Sequence, residues 1–386
     1  MKGDVLVVGS SPAGISAATA AARAGANTIL IDRDLGRFNH PANTLFEGMA
    51  SRMNDVAYKS HIRHRLKGMR IISPRGCSIC VDTPGYFLDR EGLDGHMLRK
   101  ARDSGVTQLR CEAVGSRLEG GLRYLNTTDG ELGPGLVIDA SGVDATIARG
   151  AGLSPMRHPE DIAWAFEATV EWPGLGDEEY FEYWVGSISP GWKATFSPGG
   201  GDIATLGVFV RGYGRQVQPF FRRYLRHFQK YKAERYGEVE CPKVISVSMG
   251  GDPIATLPGE IAGNAMMVTG GAAGQSGLAY SMRAGEICGS VGAKAVESGD
   301  ISLVSLRAYE KKWWAEFGME YRLGRASLEM LRSMSDAEID RLIRGLAGRN
   351  LLAGGGQLQK AISAGLSVAS IMPGLPIGLI RRMMSG

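Results

Sequence analysis

The chain opens with a strand, a glycine-rich turn, a helix and a second strand in immediate succession, an order that few folds accommodate. Asp4–Val8 (DVLVV) is a short apolar run of the kind buried on both faces of a parallel sheet. Gly9-Ser10-Ser11-Pro12-Ala13-Gly14 follows, then an alanine-rich helix to about Gly25. The second apolar run, Thr28–Ile31, ends at Asp32. In such a turn the first glycine permits the tight bend, the second close approach of a pyrophosphate, and the third close helix–strand packing. The helix N-terminus then offers free N–H groups and its dipole to the phosphates. Ser11 stands at the middle glycine. Asp32 sits at the spacing where a ribose hydroxyl needs an acceptor, and Arg33 follows it. Gly9, Ser11, Pro12, Ala13, Gly14, Asp32 and Arg33 are therefore expected to bind a nucleotide. The competing reading is a βα turn with no ligand.

The 386 residues suffice for two or three domains. A composition 44% hydrophobic and 22% charged suits a globular protein with a sizeable core. The net charge of +4 is too mild and too scattered to point to nucleic acid. It is compatible with acidic lipid head groups or an acidic redox partner. Five cysteines in a chain this long read as reduced thiols and an intracellular setting. The first strand begins too early for a signal peptide to precede it. A cytoplasmic protein, peripheral at most to the inner face of the cell membrane, is the expectation. Ala361–Ile380 is uncharged, but Gly365, Pro373, Gly374 and Pro376 break it as a span.

Along the chain, Tyr86–Asp89 reads as a strand and Arg90–Ser104 as a helix. Leu136–Ala140 (LVIDA) is a buried strand closed by Ser141-Gly142. Several strands are expected between Ile162 and Val210. There Ala163, Ala165, Glu167 and Thr169 alternate with Trp164, Phe166, Ala168 and Val170. Pro219–Tyr236 is a basic, aromatic helix, Ala265–Thr269 a strand running into Gly270-Gly271, and Met282–Val296 a helix. After Ser305 the chain is mostly helical. No internal repeat or low-complexity linker appears.

Three further segments specify the nucleotide. Tyr86-Phe-Leu-Asp-Arg-Glu-Gly-Leu-Asp94, Asp139-Ala-Ser-Gly142 and Gly270-Gly-Ala-Ala273 follow the opening turn in order. They resemble the Y-x-x-x-R-x-x-F/L-D, D-A-x-G and G-D-A-A segments of the p-hydroxybenzoate-hydroxylase-like flavoproteins. That resemblance implies FAD as cofactor, with Arg90 over its pyrophosphate and adenosine half. It also places Gly271 where the group's aspartate meets the ribityl chain. Within the group the chain is similar to the geranylgeranyl reductase family, including the archaeal digeranylgeranylglycerophospholipid reductases. Pro41-Ala-Asn-Thr-Leu-Phe-Glu-Gly48 resembles that family's loop beside the isoalloxazine. Tyr183-Trp-Val-Gly-Ser-Ile-Ser-Pro-Gly191 with Phe196-Ser-Pro198 resembles its substrate-sheet motif. Ala279–Gly285 and Leu306–Trp313 resemble later helices of the family. The family's flavin-side cysteine falls on Leu45 or Phe46. Its substrate-motif tyrosine and tryptophan fall near Lys193 and Thr195. Its loop after the ribityl position is cut to Gln275-Ser-Gly-Leu278.

The resemblance implies an α/β fold: a Rossmann-type FAD-binding domain, an inserted antiparallel β-sheet substrate domain and a helical C-terminal region. The expected boundaries are 1–75, 88–160 and 255–300 for the FAD domain. They are 76–87 and 161–254 for the substrate domain, and 301–386 for the helical region. Leu45, Phe46, Gly48, Arg90, Ala113, Val114, Asp139, Gly142, Gly271, Gly277 and Leu278 join the opening turn as expected FAD contacts. No metal is expected. The implied reaction is reduction of C=C bonds in a prenylated lipid, or in another apolar small molecule, with electrons from ferredoxin or NAD(P)H. A monooxygenase, an electron-transfer flavoprotein or a non-catalytic lipid-binding relative remain alternatives. No residue of the sequence identifies itself as the proton donor.

Three features carry weaker signals. Cys77-Ser-Ile-Cys80 is a CxxC with no second pair to complete a zinc site, so it reads as two half-buried thiols or a redox pair. His61-Ile-Arg-His64, with Arg65 and Lys67, reads as a solvated basic face or a phosphate contact. Phe220–Phe228 reads as a packed helix with an outward cationic face, or a membrane or partner contact, and Ala361–Met384 as a packed helix pair, the wall of a lipid tunnel or an interfacial anchor.

Overall fold

A computed structural model of the chain describes residues 4–37, 42–54, 56–237, 241–349 and 371–372. Most of the C-terminal run Ala361–Met384 lies outside the described residues. The strands are β1 (Val5–Val8), β2 (Thr28–Ile31), β3 (Thr44–Phe46), β4 (Ile62–Ile72), β5 (Ser78–Leu88), β6 (Thr107–Leu109), β7 (Ala113–Glu119), β8 (Leu122–Thr127), β9 (Gly130–Asp139), β10 (Ala163–Glu171), β11 (Tyr180–Trp184), β12 (Lys193–Pro198), β13 (Ile203–Arg211), β14 (Lys243–Asp252), β15 (Ala262–Gly263) and β16 (Met266–Val268). The helices are α1 (Pro12–Arg23), α2 (Glu47–Ala50), α3 (Arg90–Asp103), α4 (Thr146–Gly150), α5 (Gln218–Tyr236), α6 (Leu278–Glu297), α7 (Leu303–Ser333) and α8 (Asp336–Leu346).

The first sheet runs β15-β16-β9-β1-β2-β6, with the β7–β8 hairpin attached through β9. β16, β9, β1, β2 and β6 are mutually parallel. All four residues of β1 are buried, as a central strand of a parallel sheet requires, and only apolar side chains fit there. α1 starts at Ser11, whose hydroxyl accepts the Gly14 N–H, and Pro12 occupies the first helical position, where a missing N–H costs nothing. α6 lies against α1 at van der Waals distance. A Cβ at Gly285 would come within 2.2 Å of the Ala13 carbonyl oxygen, and one at Gly289 within 2.0 Å of that of Ala17.

The second sheet runs β14-β10-β13-β12-β11-β4-β5-β3. Its pairs are antiparallel except β11 with β4, which is parallel because the chain crosses the molecule between them. β3 and β4 belong to this sheet, so it draws in residues earlier than position 76. β4 forms a long hairpin with β5 that a short-range reading splits between domains. α5 covers one face, where Phe166, Ala168 and Val170 pack with Phe221, Tyr224 and Phe228. The other face turns toward the first sheet.

Two buried charge clusters fasten helices to this sheet. Lys232 of α5 is fully buried and donates to Glu178 and Glu182, and Arg70 of β4 donates to Glu182 at 3.0 Å. At the other end, Asp161 accepts Arg211 at 2.8 Å, Arg325 at 3.0 Å and Arg332 at 3.1 Å, which ties α7 to β13. Burial alone would raise the Asp161 carboxyl, but the arginines outweigh it and hold the group below its ordinary value of 3.8. A carboxyl lowered on folding contributes stability above its unfolded pKa and loses it as pH falls through the folded one. Asp161→Asn should therefore cost about 1–3 kcal/mol at neutral pH, since the buried Arg211 loses one of its two carboxylate partners and keeps only Glu329. Urea titrations from neutral pH down to acid should show this difference shrinking as the wild-type carboxyl protonates.

Candidate functional site

The carboxyl ends of β1, β2, β9 and β16 meet around the Gly9–Gly14 turn. Gly9 has φ +102°, and a Cβ there would lie 2.4 Å from the Ala140 carbonyl oxygen. A Cβ on Gly14 would lie 1.9 Å from the Gly9 carbonyl oxygen. These contacts press the turn against the strand end and leave the start of α1 facing outward as an anion site. Asp32 accepts the Ser10 N–H at 2.6 Å and its hydroxyl at 2.8 Å on one oxygen, and the Asp34 N–H at 2.8 Å on the other. A carboxylate has about four acceptor positions, so one remains for a ribose hydroxyl. Arg33 is exposed and pairs with Glu112 at 3.4 Å, which places Ala113 and Val114 beside the end of β2. Val114 is 58% exposed there.

Across the turn stand Gly142 and Gly271. A Cβ on Gly142 meets nothing within 4 Å, and one on Gly271 meets nothing nearer than Gly142 Cα at 3.5 Å. The two glycines thus border open space that a cofactor chain can fill. Asp139 does not face that space. Its carboxylate accepts the Ser141 N–H at 2.9 Å and the Ala148 N–H at 2.8 Å, and burial raises its pKa. It shapes the loop that carries Gly142. Arg90 is 8% exposed, doubly bonded to Asp94 and donating to the Ala42 carbonyl, so it fixes the loop ahead of β3.

The loop Gly270–Leu278 is braced by a residue that sequence reading missed. Gln275 is buried, and its side-chain oxygen accepts the Gly270 N–H at 2.7 Å and the Thr269 hydroxyl at 3.1 Å. Its amide donates to the Tyr309 hydroxyl at 2.8 Å. Ser276 donates to Asp252 of β14, and Tyr321 donates to the Ser276 carbonyl at 3.0 Å. Tyr309, Asp252 and Tyr321 are far from the loop in sequence, so no local signal marks the brace. Gly277 caps α6 and Leu278 begins it, four residues earlier than the apolar periodicity suggests.

Leu45 and Phe46 are buried, and Gly48 lies exposed in the short helix α2. Their loop is stitched to the second sheet. Asn43 donates to Thr205 at 2.8 Å, and the Thr44 and Ser197 hydroxyls meet at 2.5 Å. Phe46 packs edge-on against Phe181 at 5.9 Å.

The weaker sequence signals resolve into structural contacts. Cys77 precedes β5, Cys80 lies within it, and both are free thiols. Arg63 pairs with Asp89, Lys67 with Glu179, and His64 meets the Glu178 carbonyl. His158, Glu160 and Asp161 place ligand atoms within 4.8 Å of one another, yet Asp161 is already committed to three arginines.

A family model described as FAD dependent oxidoreductase matches residues 4–35. The digeranylgeranylglycerophospholipid reductase 1 of Methanothermobacter thermautotrophicus is 29% identical over 364 residues, covering 87% of this chain and 88% of that protein. A geranylgeranyl bacteriochlorophyll reductase-like protein from Thermoplasma acidophilum superposes with a TM-score of 0.84 at 23% identity over 99% of both chains. A variant of the halogenase PltM in complex with FAD superposes at 0.71 and 12% identity, over 99% of this chain and 86% of that one. These structures share the fold.

The residues present fit FAD: a glycine turn at a helix N-terminus, a free acceptor position on Asp32 and open space between Gly142 and Gly271. Asp32→Ala should weaken FAD binding about 10- to 100-fold, the value of a hydrogen bond to a charged group. Gly271→Asp should fit without strain and tighten binding about 5-fold, worth ~1 kcal/mol. Both are read by spectral titration of the apoprotein. With turn, open space and fold in agreement, the chain is an FAD-dependent oxidoreductase, similar over nearly its whole length to the geranylgeranyl reductase flavoproteins.

Proposed function

We propose that the chain saturates carbon–carbon double bonds of prenyl (geranylgeranyl) chains in membrane lipid or isoprenoid biosynthesis. The observation that carries this reading is the aromatic wall opposite the flavin side. Phe46, Leu66 and Phe181 form a buried cluster with Met49, Met69 and Tyr183 packed on it. Ala163, Ala165 and Phe209, with Trp192, continue the apolar surface along the same sheet face. Such a surface excludes water from an alkene and orients it by shape, which is what a substrate without polar handles requires. When bound, FAD supplies the hydride chemistry; the protein supplies position and dryness.

A cleft of about 650 Å³ opens at the Trp192 end of this face, between Gly186–Gly191, Arg211–Tyr213 and the α7–α8 corner. Only one dinucleotide fingerprint is present, so electrons reach the flavin from a transiently bound nicotinamide or from a protein donor such as ferredoxin. A peripheral membrane contact completes the reading. Val244, Ile245, Val247 and Met249 of the edge strand β14 are each about half exposed, and Arg222 and Arg226 of α5 are exposed as well. No described helix is long and apolar enough to cross a membrane.

The test is anaerobic. Protein loaded with FAD is reduced with dithionite and mixed with geranylgeranylated glycerophospholipid. Reoxidation of the flavin, with two hydrogens gained per saturated bond by mass spectrometry, is the expected result. Reoxidation by oxygen alone, with the lipid unchanged, overturns the reading.

A further inference from the structure

Glu167 is a carboxylic acid with no visible structural task. It lies on β10, is 7% exposed, and makes no hydrogen bond among the described residues. Its Oε2 is wholly sealed from solvent without a partner. An unpartnered buried polar group costs on the order of 1–3 kcal/mol, so proteins retain one where it has a use. The contrast within the same sheet is plain. Glu182, equally buried, accepts both Lys232 and Arg70.

The sheet makes room for this carboxyl. Glu167 stands opposite Gly207 on β13, and Gly207 opposite Thr195 on β12. A Cβ on Gly207 would come within 2.7 Å of Glu167 Cγ and 3.0 Å of Thr195 Oγ1. The missing side chain leaves a slot in which the acid stands on the face turned toward the first sheet. Both loops that flank the flavin side are anchored to strands beside that slot. The Ala42–Gly48 loop is fixed to Thr205 and Ser197, one row further along the same face. The Gly270–Leu278 loop is fixed to Asp252 on β14, which pairs with β10 on the other flank. Tyr183 belongs to the same cross-strand row as Glu167, Gly207 and Thr195.

The charges around the group keep it adjustable. Lys193 on β12 and Arg90 on α3 favour its ionised form, while Asp252 on β14 opposes it. Burial is the largest effect, and together these push the carboxyl up to about 7. Lys193 has no ion pair among the described residues. Its ammonium rests over the rings of Phe209, Tyr183 and Trp192 at 4.6, 4.8 and 5.0 Å. It is therefore free to face the anion that deprotonation of Glu167 leaves behind.

Saturating a C=C bond requires a hydride at one carbon and a proton at the other. In an apolar, water-poor site the proton needs a protein source. We propose that Glu167 is that source, the general acid for the carbon that does not receive the hydride; this rests on the reading of the chain as a prenyl C=C reductase. The electron pair delivered with the hydride from the reduced flavin makes one C–H bond. The alkene π pair takes the Glu167 proton and makes the second. The O–H pair stays on the carboxylate, which solvent reprotonates between turnovers. The flavin is oxidised and the alkene reduced, so atoms and electrons balance.

The experiment compares wild type, Glu167→Gln and Glu167→Asp, each loaded with FAD. Lipid-driven reoxidation of the reduced flavin is followed by stopped flow across pH, and carboxyl protonation by infrared titration of the oxidised, lipid-free protein. Wild type should lose rate as pH rises through about 7, because the protonated acid is the active form. Its infrared spectrum should lose one protonated-carboxyl band over the same range. Glu167→Gln should bind FAD as wild type does, lack that band, and reoxidise about 10²–10⁴-fold more slowly with no such fall in rate. Glu167→Asp should keep part of the rate and the pH dependence. A Glu167→Gln protein with wild-type rate and pH profile overturns the proposal. So does an infrared spectrum in which Glu167 ionises well below neutral pH, a readout that needs no variant to fold. If wild type is never reoxidised by prenyl lipid, the functional reading fails and the proposal falls with it.

Discussion

Everything at the cofactor end of the molecule depends on how closely α1 is held. Gly14 brings the helix against the Gly9 carbonyl, and Gly285 and Gly289 bring α6 against the carbonyls of Ala13 and Ala17. At these points backbone meets backbone, and a methyl group would overlap an oxygen. The fixed helix sets the direction of its free N–H groups and hence where a pyrophosphate can lie. It also sets the place of β9 and of the loop carrying Gly142, because Gly9 is pressed onto Ala140. The glycines are structural constraints first, and the anion site follows from them.

The second sheet is organised by charge as much as by apolar packing. Lys232, Glu182 and Arg70 hold α5 on one face, and Asp161 with Arg211, Arg325 and Arg332 holds α7 at the end. Paired charges of this kind add little net stability over apolar packing, but breaking one leaves an uncompensated ion. They therefore fix one arrangement of helix on sheet. Against that background an unpaired acid in the same sheet stands out, and the pairing rule is what turns Glu167 from a packing detail into a chemical group. The flavin loops are stitched to the sheet by short polar contacts, Asn43 to Thr205, Thr44 to Ser197 and Ser276 to Asp252. These contacts hold both loops against the second sheet.

Most of the fold was legible because its signals are local. The opening βαβ unit, the strand 136–139 and the helix starting at Arg90 each announce themselves within a dozen residues. The reading was weaker where a residue's role depends on a distant partner. Arg90 sits in the expected segment, yet its guanidinium is spent on Asp94 and Ala42. Asp139 ends the expected strand, yet its carboxylate organises the following loop. Gln275 carried no signal because Tyr309, which receives its amide, comes beside it only after α6 and α7 fold back.

By itself the sequence determined the nucleotide-binding turn, the order of the flavin segments and the alternation that places Glu167 with Ala163, Ala165 and Thr169 on one face of a strand. These follow from chain geometry over a few residues: a glycine where no Cβ fits, and a two-residue period in a strand. Only the tertiary structure decided which face of that strand is enclosed, which acids are paired, and that Glu167 is buried without a partner among the described residues. Burial and pairing are sums over elements far apart in the chain, and no window of sequence contains them.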